Sequence, residues 1–533
     1  MLLHFIKKKR SARPPISILP TDILYRIFSL SAKGDPSSDK ASPALVALRI
    51  ISHVCARWRS LLLAGPSLWS QALNLTYMKR SLSPEYREEI VRRAGEAEMA
   101  VFIYEVGLED GPFVFEFLSK HWHKIRSLCL YNSEFNTPEH DQMWRELAQR
   151  PSNQLRHLWV YASSRTTFTF LHSVALSRFP GLQFLDICEK NLDMKDEDIR
   201  VENSDFASAS LANLKEIVFS PTSKSARNLD GVLNFLLSII PAKDCNLNFD
   251  SWCSLLNTPP STVEKIASVF QKYCLSVTSN TRIHSLDATW IVFCHTNINI
   301  AVSTVPGSSN QIPTMTSFKV EESDRRRESP SSPTGLHRTL IPLMISYLRT
   351  LPLDTIGSLR LEVAAPQFYS DTIYSEVEDL LLHVKSAREL QVYSTPPLLY
   401  LEDLQSRLFP TVILPSLRVV HVYVPELWFF HPFSTVRDFL DHRKALGIPI
   451  DRFILSCSVI IYETRAALSL LDDLKGLTVE VRRYTAPYEY ETIEYVVGES
   501  EAVNDSEAAD RRSCGTSLLR LVDRLCFSTR RSS

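Results

Sequence analysis

Apolar positions along the 533-residue chain follow two different periods. Between residues 16 and 75 they recur at helical spacing. Ile23, Leu24, Ile27 and Phe28 lie at i, i+1, i+4 and i+5, which makes one stripe along a helix. Pro20 suits the first turn, where a missing N–H costs nothing, and Asp22 favours the positive end of the helix dipole. A polar connection follows from Ser31 to Ala41. Ser42 can cap a second helix with Pro43 at its first position. Leu45, Leu48, Ile51, Cys55, Trp58 and Leu62 line one face of that helix, and Gly65-Pro66 stops it ahead of Leu68 and Trp69.

From Ile125 to about Val481 the theme changes to short segments of the form apolar-x-x-apolar-x-apolar. They read IRSLCL from Ile125, LRHLWV from Leu155, LQFLDI from Leu182 and LKEIVF from Leu214. The set returns as IGSLRL from Ile356, ARELQV from Ala387, LRVVHV from Leu417 and LKGLTV from Leu474, with IHSLDA from Ile283 and DRFILS from Asp451 as weaker members. Helix-like stretches precede them. Val436 to Leu446 is one, with Gly447 at the position just past the helix and Pro449 after it. Helix, tight turn and short strand in repetition mean parallel strands joined by crossovers, and a period of roughly 30 residues favours a solenoid over a doubly wound sheet. An α/β sheet of ordinary topology is the alternative. Ala288 to Val302 alternates instead like a β-hairpin.

On a strand, alternate residues face opposite ways. Leu128/Leu130, Leu158/Val160, Leu185/Ile187, Leu359/Leu361, Leu390/Val392 and Val420/Val422 form the inward set. Tyr131, Trp159, Tyr161, Asp186, Arg360, Glu362, Gln391, Tyr393, His421 and Tyr423 face outward, with Tyr131 beside Tyr161 and Tyr393 beside Tyr423. Of these, Tyr131, Trp159, Tyr161, Arg360, Glu362, Tyr393, His421 and Tyr423 are the candidate substrate-binding residues. Mixed aromatic, charged and amide groups on a rigid face suit protein recognition, although solvation or cover by loops accounts for them equally well.

The order Leu19-Pro20, Asp22-Ile23-Leu24, Ile27-Phe28, Val54-Cys55-x-x-Trp58-Arg59 and Pro66-x-Leu68-Trp69 resembles the F-box, in the F-box-like form common in fungal proteins. The polar connection after the first helix is longer than the usual pattern. F-boxes dock on the Skp-family linker protein of cullin-RING ubiquitin ligases, so the resemblance implies a Skp-family partner and, through it, a cullin. Position by position it makes Leu19, Pro20, Ile23, Leu24, Ile27, Val54, Cys55, Trp58, Leu68 and Trp69 the linker-protein-binding residues. The later segments resemble a leucine-rich-repeat horseshoe in degenerate form. The expected fold is therefore α/β: an N-terminal helical F-box-like unit followed by an irregular leucine-rich-repeat-like α/β solenoid. The boundaries are a basic tail at 1–15, the F-box-like domain at 16–75, a helical junction at 76–124 and the array at 125–482. A polar loop at 303–336 interrupts the array. A mostly disordered acidic tail spans 483–533, with a short helix at Thr516 to Phe527.

Composition narrows the function classes. Lys and Arg number 59 against 60 Asp and Glu, a net charge of -1, which disfavours a nucleic-acid binder. No apolar run reaches the length of a membrane span. Ten Cys without paired spacing point to a reducing compartment, cytoplasmic or nuclear, and Lys7 to Arg10 is a candidate nuclear signal. Phosphate-loop, dinucleotide, nucleophile-elbow and zinc motifs are missing, so the reading is a non-enzyme with no catalytic residue, cofactor or metal. Ser329-Pro330 and Ser332-Pro333 beside Arg325 to Arg327 are candidate phosphorylation sites whose phosphate would pair with arginine. The expected role is a substrate-recognition adaptor of a ubiquitin ligase, with a protein substrate held by the array. A repeat scaffold without a role in ubiquitination, and an enzyme whose site emerges only on folding, are the alternatives.

Overall fold

The structure is a computed structural model. It describes residues 19–33, 43–104, 107, 109–131, 138–162, 176–189, 209–221, 226–243, 245–252, 259–278, 282–292, 296–305, 314–322, 335–363, 371–392, 396–424, 434–457, 471, 473–486 and 489–497. Tyr393, the arginine-flanked serines, the basic terminus and the segment 516–527 lie outside them. The chain divides into two units, one of residues 1–223 and 234–242 and the other of 224–233 and 243–533. Both are mixed α/β with parallel sheet.

The first unit opens with helices α1 (Thr21–Ala32), α2 (Pro43–Val54), α3 (Ala56–Leu63) and α4 (Pro66–Ser70). The expected single second helix is two. Cys55 is fully extended, at φ -160° and ψ 165°, and precedes α3 as its N-cap residue. The break lets Trp58 turn toward α1. Strand β1 (Leu73–Asn74), α5 (Leu75–Ser81), α6 (Pro84–Ala94) and β2 (Met99–Tyr104) come next, then α7 (Gly111–His121), β3 (Ile125–Tyr131), α8 (Pro138–Ala148), β4 (His157–Ala162), β5 (Phe184–Glu189), β6 (Ala209–Leu211) and β7 (Glu216–Pro221). The Asn74 side chain caps α5 by accepting from the Tyr77 N–H at 2.8 Å, and Ser83 caps α6. The junction expected to be helical thus contains strands. Met99–Tyr104 is a continuous apolar run too short to show a period, as buried parallel strands are.

The unit's main sheet runs β1-β2-β3-β4-β5-β7, all parallel, and neighbours in space follow one another along the chain except that β6 is passed over. Register aligns the leucine positions of every segment. Leu128, Leu158, Leu185 and Ile217 form one row; Leu130, Val160, Ile187 and Phe219 form the next. Each of these side chains is buried. The step into each strand is also repeated. The N–H groups of Arg156, Gln183 and Lys215 each donate to the carbonyl one repeat earlier, on Arg126, Arg156 and Gln183, at 2.7–2.8 Å. A strand β8 (Ile239–Pro241) pairs with β6 apart from this sheet.

The second unit contains β9 (Asn246–Trp252), β10 (Arg282–Val292), β11 (Thr296–Val305), β12 (Thr314–Glu322), β13 (Ser358–Val363), β14 (Glu389–Val392), β15 (Val419–Val424), β16 (Arg452–Cys457), β17 (Thr478–Ala486) and β18 (Glu489–Val496). After α9 (Ala226–Ser238), its helices are α10 (Pro260–Thr278), α11 (Gly335–Leu348), α12 (Asp371–His383), α13 (Pro396–Leu408) and α14 (Ser434–Ala445). β13 to β17 are parallel in chain order and repeat the leucine ladder through Leu359, Leu390, Val420, Phe453 and Val479. The expected hairpin is present as the antiparallel pair β10–β11.

Two expectations are corrected here. The span 303–336 is not all loop, because β12 lies within it, antiparallel to β11 and parallel to β9. Its average composition is polar, yet Thr316, Phe318 and Val320 alternate with Ser317, Lys319 and Glu321, which is a strand pattern. The acidic tail expected from 483 onward holds β18, which closes the sheet as an antiparallel hairpin with β17. Tyr490, Thr492, Ile493, Tyr495 and Val496 supply β-branched and aromatic residues that outweigh the glutamates between them.

No helix among the described residues is long and apolar enough to cross a membrane.

Candidate functional site

The N-terminal helices are held by a small aromatic core. Phe28 and Trp58 meet edge to face with ring centroids 5.1 Å apart. Trp69 donates its indole N–H to the Leu62 carbonyl at 2.9 Å and is covered by the Arg93 guanidinium, 4.6 Å from the ring. Tyr25 and Ser67 share a short hydrogen bond between hydroxyls. Arg57 ties the start of α1 to α3, donating to the Leu19 carbonyl at 2.9 Å and to the Thr21 hydroxyl at 3.4 Å.

This core corrects part of the expected linker contact. Leu24, Trp58, Leu68 and Trp69 are buried, so they fill the interior and present no surface to a partner. Leu19 is half-buried, while Pro20, Ile23, Ile27, Val54 and Cys55 are exposed. Apolar residues absent from the expected set join them. On α1, Ile23, Ile27 and Leu30 form an exposed stripe at i, i+4 and i+7, beside the buried stripe of Leu24, Phe28 and Ala32. On α2, Val46, Ile50 and Val54 form a second exposed stripe at i, i+4 and i+8, and Leu63 is exposed on α3. Leu30 and Ile50 keep 63% and 62% of their surface in water. A helix apolar on both sides calls for cover on both. Leu30 was visible in the sequence as the next step of the Ile23–Ile27 stripe.

The outward face of the first unit's sheet is aromatic. Tyr131 and Tyr161 are in register, as expected, with ring centroids 5.6 Å apart. Tyr104 extends the row on the other side, 5.7 Å from Tyr131, and was missed because β2 was. Tyr161 donates its hydroxyl proton to Asp186 Oδ2 at 2.6 Å. Burial pushes the Asp186 carboxyl above its ordinary range, and Glu216 pushes it further; the Tyr161 hydrogen bond opposes both. Toward the strand starts, His157 lies near-parallel to Trp159 and Phe184 at 5.4 and 4.8 Å, and its Nδ1 is 3.0 Å from the Ser127 hydroxyl. Tyr131, Trp159, Tyr161 and Asp186 are all partly exposed.

The corresponding face of the second unit is polar and largely self-satisfied. Arg452 and Arg482 both pair with the buried Glu480. His421 Nε2 lies 2.7 Å from the Ser456 hydroxyl, and its ring stacks on Tyr423 at 3.9 Å. Burial pushes His421 down to about 4, with Arg482 adding to the fall and Glu480 opposing it. Ser456 and His421 have the residue types of a nucleophile and its base, but they are 1% and 3% exposed. His421 is therefore corrected from a surface contact to a core polar group. Gln391 pairs with Glu389 at 2.7 Å, and Arg360 is partly exposed. Glu362 lies on β13 opposite Thr289, its side chain outside the description.

Among the described residues, no group of three or more His, Cys, Asp or Glu is placed to hold a metal ion. No protein-family model matches the chain, and no curated protein matches it.

Proposed function

We propose that the chain is a substrate-recognition adaptor of a Skp-cullin-F-box type ubiquitin ligase, acting in the cytoplasm or nucleus. One observation carries the reading. Of eleven large apolar side chains exposed among the described residues, seven fall between Ile23 and Leu63, on helices whose own core is already filled. A small helical unit that leaves this much apolar surface in water is built to be covered by another subunit. The F-box-like order of Leu19-Pro20, Ile23, Ile27 and Val54-Cys55 names the linker as that subunit. The contact is drawn by Pro20, Ile23, Ile27, Val54 and Cys55, with Leu30 and Ile50 alongside.

The remainder of the chain is read as an irregular leucine-rich-repeat-like array. Support comes from parallel strands that follow one another in chain order at steps of roughly 30 residues, a spacing typical of solenoids. Its outward faces hold the substrate. Tethering then raises the local concentration of substrate at the ligase, so the adaptor needs no catalytic residue.

Capture of a Skp-family linker and its cullin by the full chain tests the proposal. The wild-type chain retains both, and Ile23→Asp/Ile27→Asp retains neither while melting like the wild type. A folded wild-type chain that captures no linker sinks the assignment. Capture of linker without cullin leaves the scaffold reading instead.

A further inference from the structure

Successive parallel strands of the first unit place one tyrosine beside the next toward their carboxyl ends. Backbone register pairs Tyr104 with Tyr131 and Tyr131 with Tyr161. The ring centroids are 5.7 and 5.6 Å apart, and Asp186 closes the row as the acceptor of the Tyr161 hydroxyl. These residues alternate along their strands with the buried Leu130, Val160 and Ile187, so the row lies on the side away from the leucine ladder. All four remain partly open to solvent.

Charge at the Asp186 end of this row is one-sided among the described residues. Among the described residues, the groups that act on the Asp186 carboxyl are the Tyr161 hydroxyl and Glu216, which stands on the same face of the neighbouring strand. Among the described residues, no lysine or arginine pairs with it. A half-buried carboxylate beside a second carboxylate is destabilised until a cation arrives. The tyrosine faces add their own preference, since an aromatic quadrupole attracts positive charge to the face of the ring. A guanidinium meets both demands. It is planar, stacks on a ring, sheds water more readily than an ammonium, and bonds a carboxylate through two parallel N–H groups.

We infer that the Tyr104–Tyr131–Tyr161–Asp186 row receives an arginine-bearing segment of a partner protein, with guanidinium stacked on tyrosine and bonded to Asp186. This deepens the adaptor reading, because it names the chemistry of the substrate that the sheet face selects.

The test uses the full chain and a fluorescent hexa-arginine peptide, followed by anisotropy at physiological ionic strength. Hexa-lysine and hexa-glutamate serve as comparisons. Hexa-arginine binds, hexa-lysine binds more weakly and hexa-glutamate does not bind. Asp186→Asn and Tyr131→Ala each weaken hexa-arginine by about tenfold. Asp186→Asn preserves shape, so it reports charge even if Tyr131→Ala unfolds. Glu499→Gln/Glu501→Gln, in the acidic tail, leaves binding unchanged. The inference is overturned if hexa-arginine binds Asp186→Asn as well as wild type, if the tail variant accounts for the binding, or if no peptide binds. Linker capture on the same preparations is independent of these outcomes, so failure of the adaptor reading is distinguishable from failure of this one.

Discussion

Ile27 and Phe28 are consecutive residues of α1. Phe28 is fully buried, its ring 5.1 Å from that of Trp58, while Ile27 keeps 39% of its surface exposed. One residue of helical rotation separates a side chain that builds the unit from one left partly in water. Ile23→Asp/Ile27→Asp is therefore expected to shift folding stability by no more than about 0.5 kcal/mol, as surface substitutions do, while abolishing linker capture. Phe28→Ala is expected to cost about 3–5 kcal/mol by leaving a cavity. Denaturant melts beside linker capture separate the two. Trp58→Ala cannot make the distinction, because Trp58 is itself core.

Arg443 on α14 is buried and donates to two backbone carbonyls, those of Ile413 at 2.8 Å and Leu414 at 3.0 Å. Burial pushes its guanidinium down to about 10, with Arg418 contributing. Gln405 holds the same turn, accepting from the Ile413 N–H and donating to the Thr411 carbonyl. Arg443→Ala strands both carbonyls and is expected to cost about 2–4 kcal/mol. Arg443→Lys recovers less than half, because a single ammonium lacks the fork that spans both oxygens. Urea denaturation of the three chains provides the measurement.

His421 supplies a pH dependence whose sign is fixed. Its folded pKa of about 4 lies below the ordinary histidine value, so between these two values the unfolded chain binds the proton and the folded chain does not. Stability contributed by the neutral imidazole is full above about pH 6.5 and falls as pH drops toward 4. His421→Gln, which retains a partner for Ser456, is expected to flatten that part of the profile. Thermal melts at pH 7 and pH 4.5 check it; an unchanged slope removes His421 as the source.

Two glycines are constrained for different reasons. A Cβ on Gly181 would lie 2.6 Å from the backbone oxygen of Asn153, so Gly181→Ala forces main chain apart and is expected to cost about 1–3 kcal/mol. Gly447, just past α14, has open space around it but a φ of +73°. Gly447→Ala is expected to cost about 1 kcal/mol through backbone strain alone. Parallel denaturation curves, with Gly447→Asn partly restoring stability, test the difference.

The ten apolar-x-x-apolar-x-apolar segments read from the sequence all contain or lead into strands, including the weak members at Ile283 and Asp451. They were legible because each buries the same register positions, and burial on one side forces a period of two. β2, β12 and β18 were less legible. Met99–Tyr104 shows no alternation, and the alternation of β12 and β18 is diluted by polar and acidic residues around it. The break at Cys55 was also hidden, since Leu48, Ile51, Cys55, Trp58 and Leu62 fit one continuous helical face on paper. The candidate partner surface was half legible: the helices that carry exposed apolar stripes were among those singled out, but core and exposed positions were merged.

What the amino-acid order determined by itself is local. Periodicity, helix stops and strand segments follow from short-range sterics and from which residues avoid water. Whether an apolar residue ends in the core or at the surface depends on which other helix arrives to cover it. Only tertiary packing decided that Trp58 turns inward against Phe28 while Ile23, Ile27 and Leu30 stay in water. Only strand register decided that Tyr104, Tyr131 and Tyr161 stand in one row, and only the packing of β4 beside β5 brought Asp186, more than 80 residues along the chain from Tyr104, within hydrogen-bond reach of Tyr161.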